Sequence, residues 1–202
     1  WITGPYIGQV ATVRVPVADI WPNPRVGGGQ KRETQVLMGE QVEITEIRGE
    51  WYRVVVLAQP SRKDPRGYPG WVQAHDVILS PYLPDSFIIV MVPSAPLQSQ
   101  PDAGSPTVAE VSLDTRLNIV GQASPWVNVA LPDGTRAWID EASVRVEGRG
   151  QTGYKPLPED LISTARSLLG TPYLWGGSSW KALDCSGVVY RTFHAHGILL
   201  AR

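Results

Sequence analysis

The chain has 202 residues, of which 43% are hydrophobic and 18% charged, a composition typical of a folded globular protein rather than a disordered one. Eighteen basic and nineteen acidic residues give a formal net charge of −1, so we expect no polycationic surface for nucleic acid. No apolar run approaches the ~20 residues of a membrane span, and the length suits one or two domains, or three if some are small barrels.

The first two thirds of the chain repeat one order of short blocks rich in Val, Ile, Trp and Tyr. Polar and apolar residues alternate within the blocks, which is typical of half-buried antiparallel strands. Strands this short close most economically into a small barrel, because closure removes exposed edges. The pattern therefore predicts two all-β barrels, at residues 9–80 and 86–147. The matching blocks are 13–18, 35–44, 51–56 and 70–72 in the first repeat and 90–95, 110–119, 126–131 and 137–139 in the second.

Both repeats open with the pattern V-x-V-P-x-A, and the first ends with G-W-V at residues 70–72. This combination resembles the bacterial SH3-like domains, and the resemblance implies units that bind a peptide or a glycan. Residues 148–155 are rich in Gly and polar side chains, which predicts a flexible linker to a further unit at 156–202.

Residues 156–170 predict an amphipathic helix. Pro158, Glu159 and Asp160 stand at its start, and Gly170 stands just past its end. The apolar residues recur at helical spacing. They are Leu157, Leu161, Ile162, Ala165, Leu168 and Leu169.

The single cysteine of the chain, Cys185, follows Asp184 at the start of a second apolar pattern with helical spacing. Asp184 is a typical helix N-cap, which places Cys185 in the first helical turn. There the unpaired backbone N–H groups and the positive end of the helix dipole stabilise a thiolate, the nucleophilic form of cysteine. The residues alone leave a second interpretation equally open, in which Cys185 is an inert buried thiol behind an ordinary helix cap.

The pattern G-x-P-Y at 170–173 continues into Y-x-W-G-G-x-S at 173–179 and is followed by D-C-S-G at 184–187. It resembles the NlpC family of papain-like peptidoglycan peptidases. The resemblance implies that Cys185 is the catalytic nucleophile. It also implies a fold class of two small all-β SH3-like barrels followed by the helical N-terminal half of an α+β papain-like catalytic domain. Ala182 departs from the family, which usually has glycine there, so the resemblance predicts the nucleophile but not the conformation of the loop before it.

Members of this family with two SH3-like domains resemble the γ-D-glutamyl-L-diamino-acid endopeptidases, which act on murein peptides with a free N-terminal L-Ala. The resemblance implies a substrate pocket walled partly by the first barrel, and it implies no cofactor and no metal. A carboxylate suits a substrate ammonium, because a charge-assisted hydrogen bond requires the free amine. The implied substrate-binding residues are Tyr173, Trp175, Asp184, Ser186, Tyr68 and Glu33.

A cysteine peptidase also requires a histidine to take the thiol proton. His194 and His196 follow Cys185 on the same predicted helix, and nine residues at ~1.5 Å each separate the first of them from Cys185 by ~13.5 Å. His75 belongs to the first barrel. We therefore expect a fragment that lacks its catalytic histidine and is inactive alone, with an apolar face of the Cys185 helix left uncovered.

Two alternatives stay open at the level of sequence. The first is a catalytically dead module whose SH3-like barrels bind peptidoglycan, and the second is amide or acyl transfer by a related thiol enzyme. Murein peptides are the expected partners under the leading hypothesis. The compartment and the oligomeric state are not determined, although the leading hypothesis favours the bacterial cell envelope or secretion over the cytoplasm.

Overall fold

The computed structural model describes residues 4–82, 85–148 and 154–202. Most of the predicted linker, residues 149–153, lies outside the described residues. Within the described ranges, neither helix has the length and apolarity that a membrane crossing would require.

The first unit is built from seven strands around an apolar core. Five of them form an antiparallel sheet in the order β6-β5-β4-β1-β7, and β2 pairs with β3 in a separate hairpin. The alternating burial of β4 shows the period of two that the sequence predicts, since Val42 and Ile44 are fully buried between half-exposed neighbours. The strands are β1 (Val10–Val13), β2 (Val17–Ile20), β3 (Thr34–Leu37), β4 (Gln41–Arg48), β5 (Trp51–Val56), β6 (Tyr68–Gln73) and β7 (Val77–Ile78).

The second unit repeats the pattern with one larger antiparallel sheet in the order β10-β9-β13-β12-β11-β8-β14. Its core contains fully buried Ile88, Leu97, Leu117 and Ile139, one from each of four strands. The strands are β8 (Ser86–Val90), β9 (Ser94–Gln98), β10 (Thr107–Ser112), β11 (Arg116–Ala123), β12 (Trp126–Ala130), β13 (Arg136–Asp140) and β14 (Val144–Gly148).

The last part of the chain corrects the predicted fold class. The described chain is mostly β, with its strands in four sheets, and the part after the linker is not a helical half-domain. Its two helices, α1 (Pro158–Ser167) and α2 (Cys185–Ala195), are separated by an irregular segment and a hairpin of β15 (Ser178–Ser179) and β16 (Ala182–Leu183). The prediction overestimated helix because the segment between the helices follows the turn requirements of its Gly and Pro residues and of this hairpin.

Helix α1 is shorter and more exposed than its apolar pattern predicts. The backbone N–H of Leu157 donates to the Asp160 carboxylate at 2.8 Å, which closes the first turn. Leu168 is buried beyond the C-terminal end, whereas Ile162 and Leu169 are exposed. The helix thus buries only part of its apolar stripe.

Helix α2 is buried on part of its surface, while Val189 stays 48% exposed, so the expectation of a bare apolar face holds for only part of the helix. Tyr190 and Ala195 are fully buried, and the Tyr190 hydroxyl donates to the carbonyl of Ala58 in the first unit at 2.7 Å. On the opposite side, Arg145 of the second unit donates to the carbonyl of Ala195 at 2.8 Å. The two β units, and not a following sheet, bury this helix.

A buried ion cluster joins all three parts of the chain. Arg191 of α2 donates to Glu40 of the first unit at 2.6 Å and to Asp114 of the second unit at 2.9 Å. His194 contacts the same Asp114 carboxylate at 2.6 Å. Burial raises the pKa of Asp114, but His194, Arg191 and Arg116 outweigh it and lower that pKa to about 2. The carboxylate is therefore charged at neutral pH, where it fixes the α2 helix against both β units.

We expect Asp114→Asn to lower the melting temperature by roughly 6–12 °C at pH 7, because a buried ion pair that loses one partner costs about 3 kcal/mol. The pKa of Asp114 is depressed in the folded state, so its contribution is complete above the ordinary value near ~3.9 and is lost as the pH falls towards about 2. The difference between wild type and variant should therefore shrink between pH 4 and pH 2. Glu46→Gln, which breaks an exposed pair with Arg48, is the control and should shift melting little. Equal shifts for the two variants would contradict the proposed role of the cluster.

Candidate active site

The loop before α2 holds Cys185 at the protein surface by close backbone contacts. Gly176 has a φ of +73°, and a Cβ there would lie 2.3 Å from Cγ of Arg32 in the first unit. A Cβ on Gly187 would lie 2.2 Å from the carbonyl oxygen of Gly177. Both glycines are thus required by close approach, one to the first β unit and one to the loop. Cys185 itself is exposed at the first position of α2.

Asp184 is the N-cap of α2, as the sequence predicts, and its carboxylate is saturated with donors. Oδ1 accepts from the Gly187 N–H at 2.6 Å and from the Ser186 hydroxyl at 2.9 Å, while Oδ2 accepts from the Gly176 N–H at 2.9 Å. Arg202 adds a bidentate pair to the two oxygens at 2.7 and 3.0 Å. Burial raises the pKa of Asp184, but the Arg202 guanidinium, the Gly187 N–H and the Ser186 hydroxyl hold it below its usual value. Asp184 therefore orders the loop and the helix start as a charged group.

A cleft of about 430 Å³ opens beside the Cys185 thiol, between the last part of the chain and the first β unit. The cleft brings together the predicted nucleophile and all six predicted substrate-binding residues; the roles of these residues stay predictions. Tyr173 and Trp175 are more than half exposed on one wall. The lining residues are Lys31, Arg32, Glu33, Lys63, Tyr68, Tyr173, Trp175, Asp184, Cys185, Ser186 and Arg202.

The wall from the first β unit carries a cluster of three polar side chains. The Tyr68 hydroxyl donates to Oε2 of Glu33 at 3.1 Å, and Lys63 donates to the same oxygen. Burial raises the pKa of Tyr68, so the phenol is a neutral donor at physiological pH. The cluster thus presents a carboxylate and a hydroxyl towards the cleft that also contains Cys185.

None of the three histidines of the sequence lines the cleft. His194 is engaged with Asp114, and the two ring nitrogens of His196 contact Tyr154 at 2.7 Å and Thr164 at 2.8 Å. His75 is exposed in the first unit and lies 3.3 Å from Asp76. Each histidine therefore has its own partners away from Cys185.

Sequence reasoning missed four cleft residues, all of them cations. Arg202 binds Asp184, and Arg32 pairs with Asp19 at 2.9 Å. The ammonium of Lys31 lies 4.8 Å from the ring centroid of Trp175. The Lys31-Arg32-Glu33 run was a visible signal, but the sequence contained no signal for Lys63 or Arg202, because their contacts span 30 and 18 residues.

Two family models match the chain. Residues 90–146 match the YKFC SH3b2 domain, which corresponds to the second β unit. Residues 170–202 match the NlpC/P60 family, and this segment contains the cleft loop and Cys185. The segment that contains Cys185 is thus similar to the NlpC/P60 family.

Comparisons with individual proteins agree with the family models. The chain is 34% identical over 179 residues to a gamma-D-glutamyl-L-lysine dipeptidyl-peptidase of Bacillus cereus, covering 85% of this chain and 53% of that protein. A protein of the same name from Bacillus subtilis is 36% identical over 171 residues, covering 84% and 55%. The crystal structure of an NlpC/P60 family protein from Bacillus cereus superposes with a TM-score of 0.85 at 27% identity, covering 96% of this chain and 74% of that one.

The chain spans about half the length of the two curated relatives that it matches. The matched NlpC/P60 segment supplies five of the seven predicted site residues, and the first β unit supplies Glu33 and Tyr68. The cleft is thus a composite of two parts of the chain.

Proposed function

We propose that the full-length protein is a cysteine endopeptidase that cleaves the γ-D-glutamyl-L-diamino-acid bond of murein peptides with a free N-terminal L-Ala. The observation that carries the proposal is the exposed Cys185 at the start of α2, in a cleft completed by a carboxylate from the first β unit. The names of the two Bacillus relatives, gamma-D-glutamyl-L-lysine dipeptidyl-peptidases, support a bond of this type.

In the proposed reaction the Cys185 thiolate attacks the carbonyl carbon of the γ-amide. The backbone N–H of Cys185, which has no intrahelical acceptor, and the positive end of α2 can stabilise the developing oxyanion. The C–N bond breaks, the diamino acid leaves as a protonated amine, and water then hydrolyses the thioester. Tyr173 and Trp175 flank the substrate, while Asp184 and Ser186 keep the helix start in place.

The proton transfers require a histidine other than the three in this sequence. Each of those has partners away from the cleft, and His194 lies nine positions along the same helix as Cys185. We therefore infer that residues 1–202 alone do not turn over the peptide.

The test is hydrolysis of L-Ala-γ-D-Glu-L-Lys by the full-length protein, followed by chromatography of the released lysine. We expect release from the γ-linked peptide and at least about 10²-fold slower release from L-Ala-α-L-Glu-L-Lys, whose scissile carbonyl lies elsewhere relative to the amine. Equal rates for the two isomers would contradict the proposed bond specificity. Turnover by residues 1–202 alone would contradict the requirement for another histidine.

A further inference from the structure

The cleft already contains an ammonium group of the chain itself. Lys63 donates to Glu33 Oε2, and its Nζ lies 4.9 Å from the centroid of the Tyr68 ring. These are the two groups that would receive the N-terminal ammonium of a substrate under the proposed function. The position next to Glu33 is thus occupied by a cation of the same chemistry as the ligand.

Of the two carboxylates that line the cleft, Asp184 and Glu33, only Glu33 has an oxygen that can accept a hydrogen bond from a ligand. Asp184 accepts hydrogen bonds on both oxygens, including two from Arg202. Glu33 accepts only on Oε2, and its Oε1 has no hydrogen-bond partner among the described residues. Glu33 is therefore the cleft carboxylate with acceptor capacity for an incoming ammonium, and Lys63 holds part of that capacity.

Lys63 can leave this position at small cost. Its side chain is 50% exposed, and it lies in the loop between β5 and β6, outside the strands. Exposed ion pairs are weak, because water solvates both charges and ordering a long side chain costs entropy. Burial lowers the pKa of Lys63, but the Glu33 and Tyr68 contacts outweigh it and raise that pKa, so the group is a full cation at neutral pH.

We propose that Lys63 is a specificity-determining residue that occupies the ammonium site on Glu33 in the free protein and is displaced by the N-terminal ammonium of the substrate. The inference rests on the proposed function, because that function supplies the free amine. Lys63 competes with every ligand for Glu33. A ligand that displaces Lys63 breaks the ion pair between Lys63 and Glu33, and only a ligand with an ammonium group forms a new ion pair with Glu33 in its place. A ligand without one leaves Lys63 in place or leaves Glu33 unpaired.

Lys63→Met tests the proposal, because it removes the competing charge and keeps a side chain of similar length. Binding of the dipeptide L-Ala-γ-D-Glu, measured by titration calorimetry with the full-length protein, should tighten about 3- to 10-fold. The KM of the tripeptide should fall by the same factor, with kcat unchanged. In a Glu33→Gln background, Lys63→Met should change neither value, since the two side chains then no longer compete through a carboxylate.

Arg62→Met is the matched control. It removes one positive charge from the neighbouring position of the same loop, and Arg62 does not line the cleft. A similar gain in dipeptide affinity in Arg62→Met would show that the loss of any positive charge near the cleft has this effect, and it would overturn the proposal. Weaker binding in Lys63→Met would also overturn it, because Lys63 would then position Glu33 instead of competing with the ligand.

The outcomes separate this inference from the proposed function. Hydrolysis of the tripeptide without any change in Lys63→Met contradicts the role of Lys63 alone. Tighter dipeptide binding in Lys63→Met without hydrolysis by the wild type contradicts the peptidase alone. Absence of both hydrolysis and dipeptide binding contradicts both.

Discussion

Cys185→Ser should reduce kcat/KM of the full-length protein for the murein tripeptide by at least about 10³-fold. The loss follows from replacing the sulfur nucleophile with a hydroxyl, which is a far weaker nucleophile, so the first covalent step fails. Cys185 is exposed, and serine has a similar volume, so no core packing changes. The measurement is steady-state hydrolysis of L-Ala-γ-D-Glu-L-Lys.

The structural control for this prediction is the melting temperature of the same variant, which should equal that of the wild type within about 2 °C. The N-cap of α2 is Asp184, which the substitution leaves intact. Activity above one tenth of the wild-type value would show that Cys185 is not the nucleophile. Such a result would place the nucleophile at another residue, whereas a wild type that does not hydrolyse the peptide at all would favour the alternative of a binding module with an incidental thiol.

Glu33→Gln should reduce the preference for a free N-terminal amine by about 10- to 100-fold. A hydrogen bond between a carboxylate and an ammonium contributes about 1.5–3 kcal/mol, and glutamine retains the shape of the side chain but not its charge. The side chain is 24% exposed, so part of the effect is screened by water. The measurement is the ratio of kcat/KM for L-Ala-γ-D-Glu-L-Lys to that for its N-acetylated form, in wild type and variant.

Glu43→Gln is the matched control for this measurement. Glu43 belongs to the same β unit and pairs with Arg66, but it does not line the cleft, so the ratio should not change. An unchanged ratio in Glu33→Gln would show that Glu33 does not bind the N-terminal amine of the substrate. Selection by the first β unit would then rest on Tyr68 or on steric exclusion.

The sequence by itself determined the local features of the site. The Asp184-Cys185 pair predicted an N-capped helix with the thiol in its first turn, and the helix begins there because the cap satisfies its first N–H groups. The alternating blocks predicted antiparallel strands, because a period of two in hydrophobicity matches the geometry of a half-buried strand. The G-G pair and the D-C-S-G motif indicated the family because each consists of residues that are adjacent in the sequence.

Only the tertiary structure decided which distant groups meet at the site. The contact of Lys63 with Glu33 and that of Arg202 with Asp184 depend on how segments 30 and 18 residues apart in the chain approach one another, and no periodicity encodes that approach. The same holds for helix α2, which contacts both β units through Arg191 and its partners Glu40 and Asp114. Long-range pairing of charges is set by the summed packing of the whole chain, whereas capping and strand alternation are set by neighbours within a few residues.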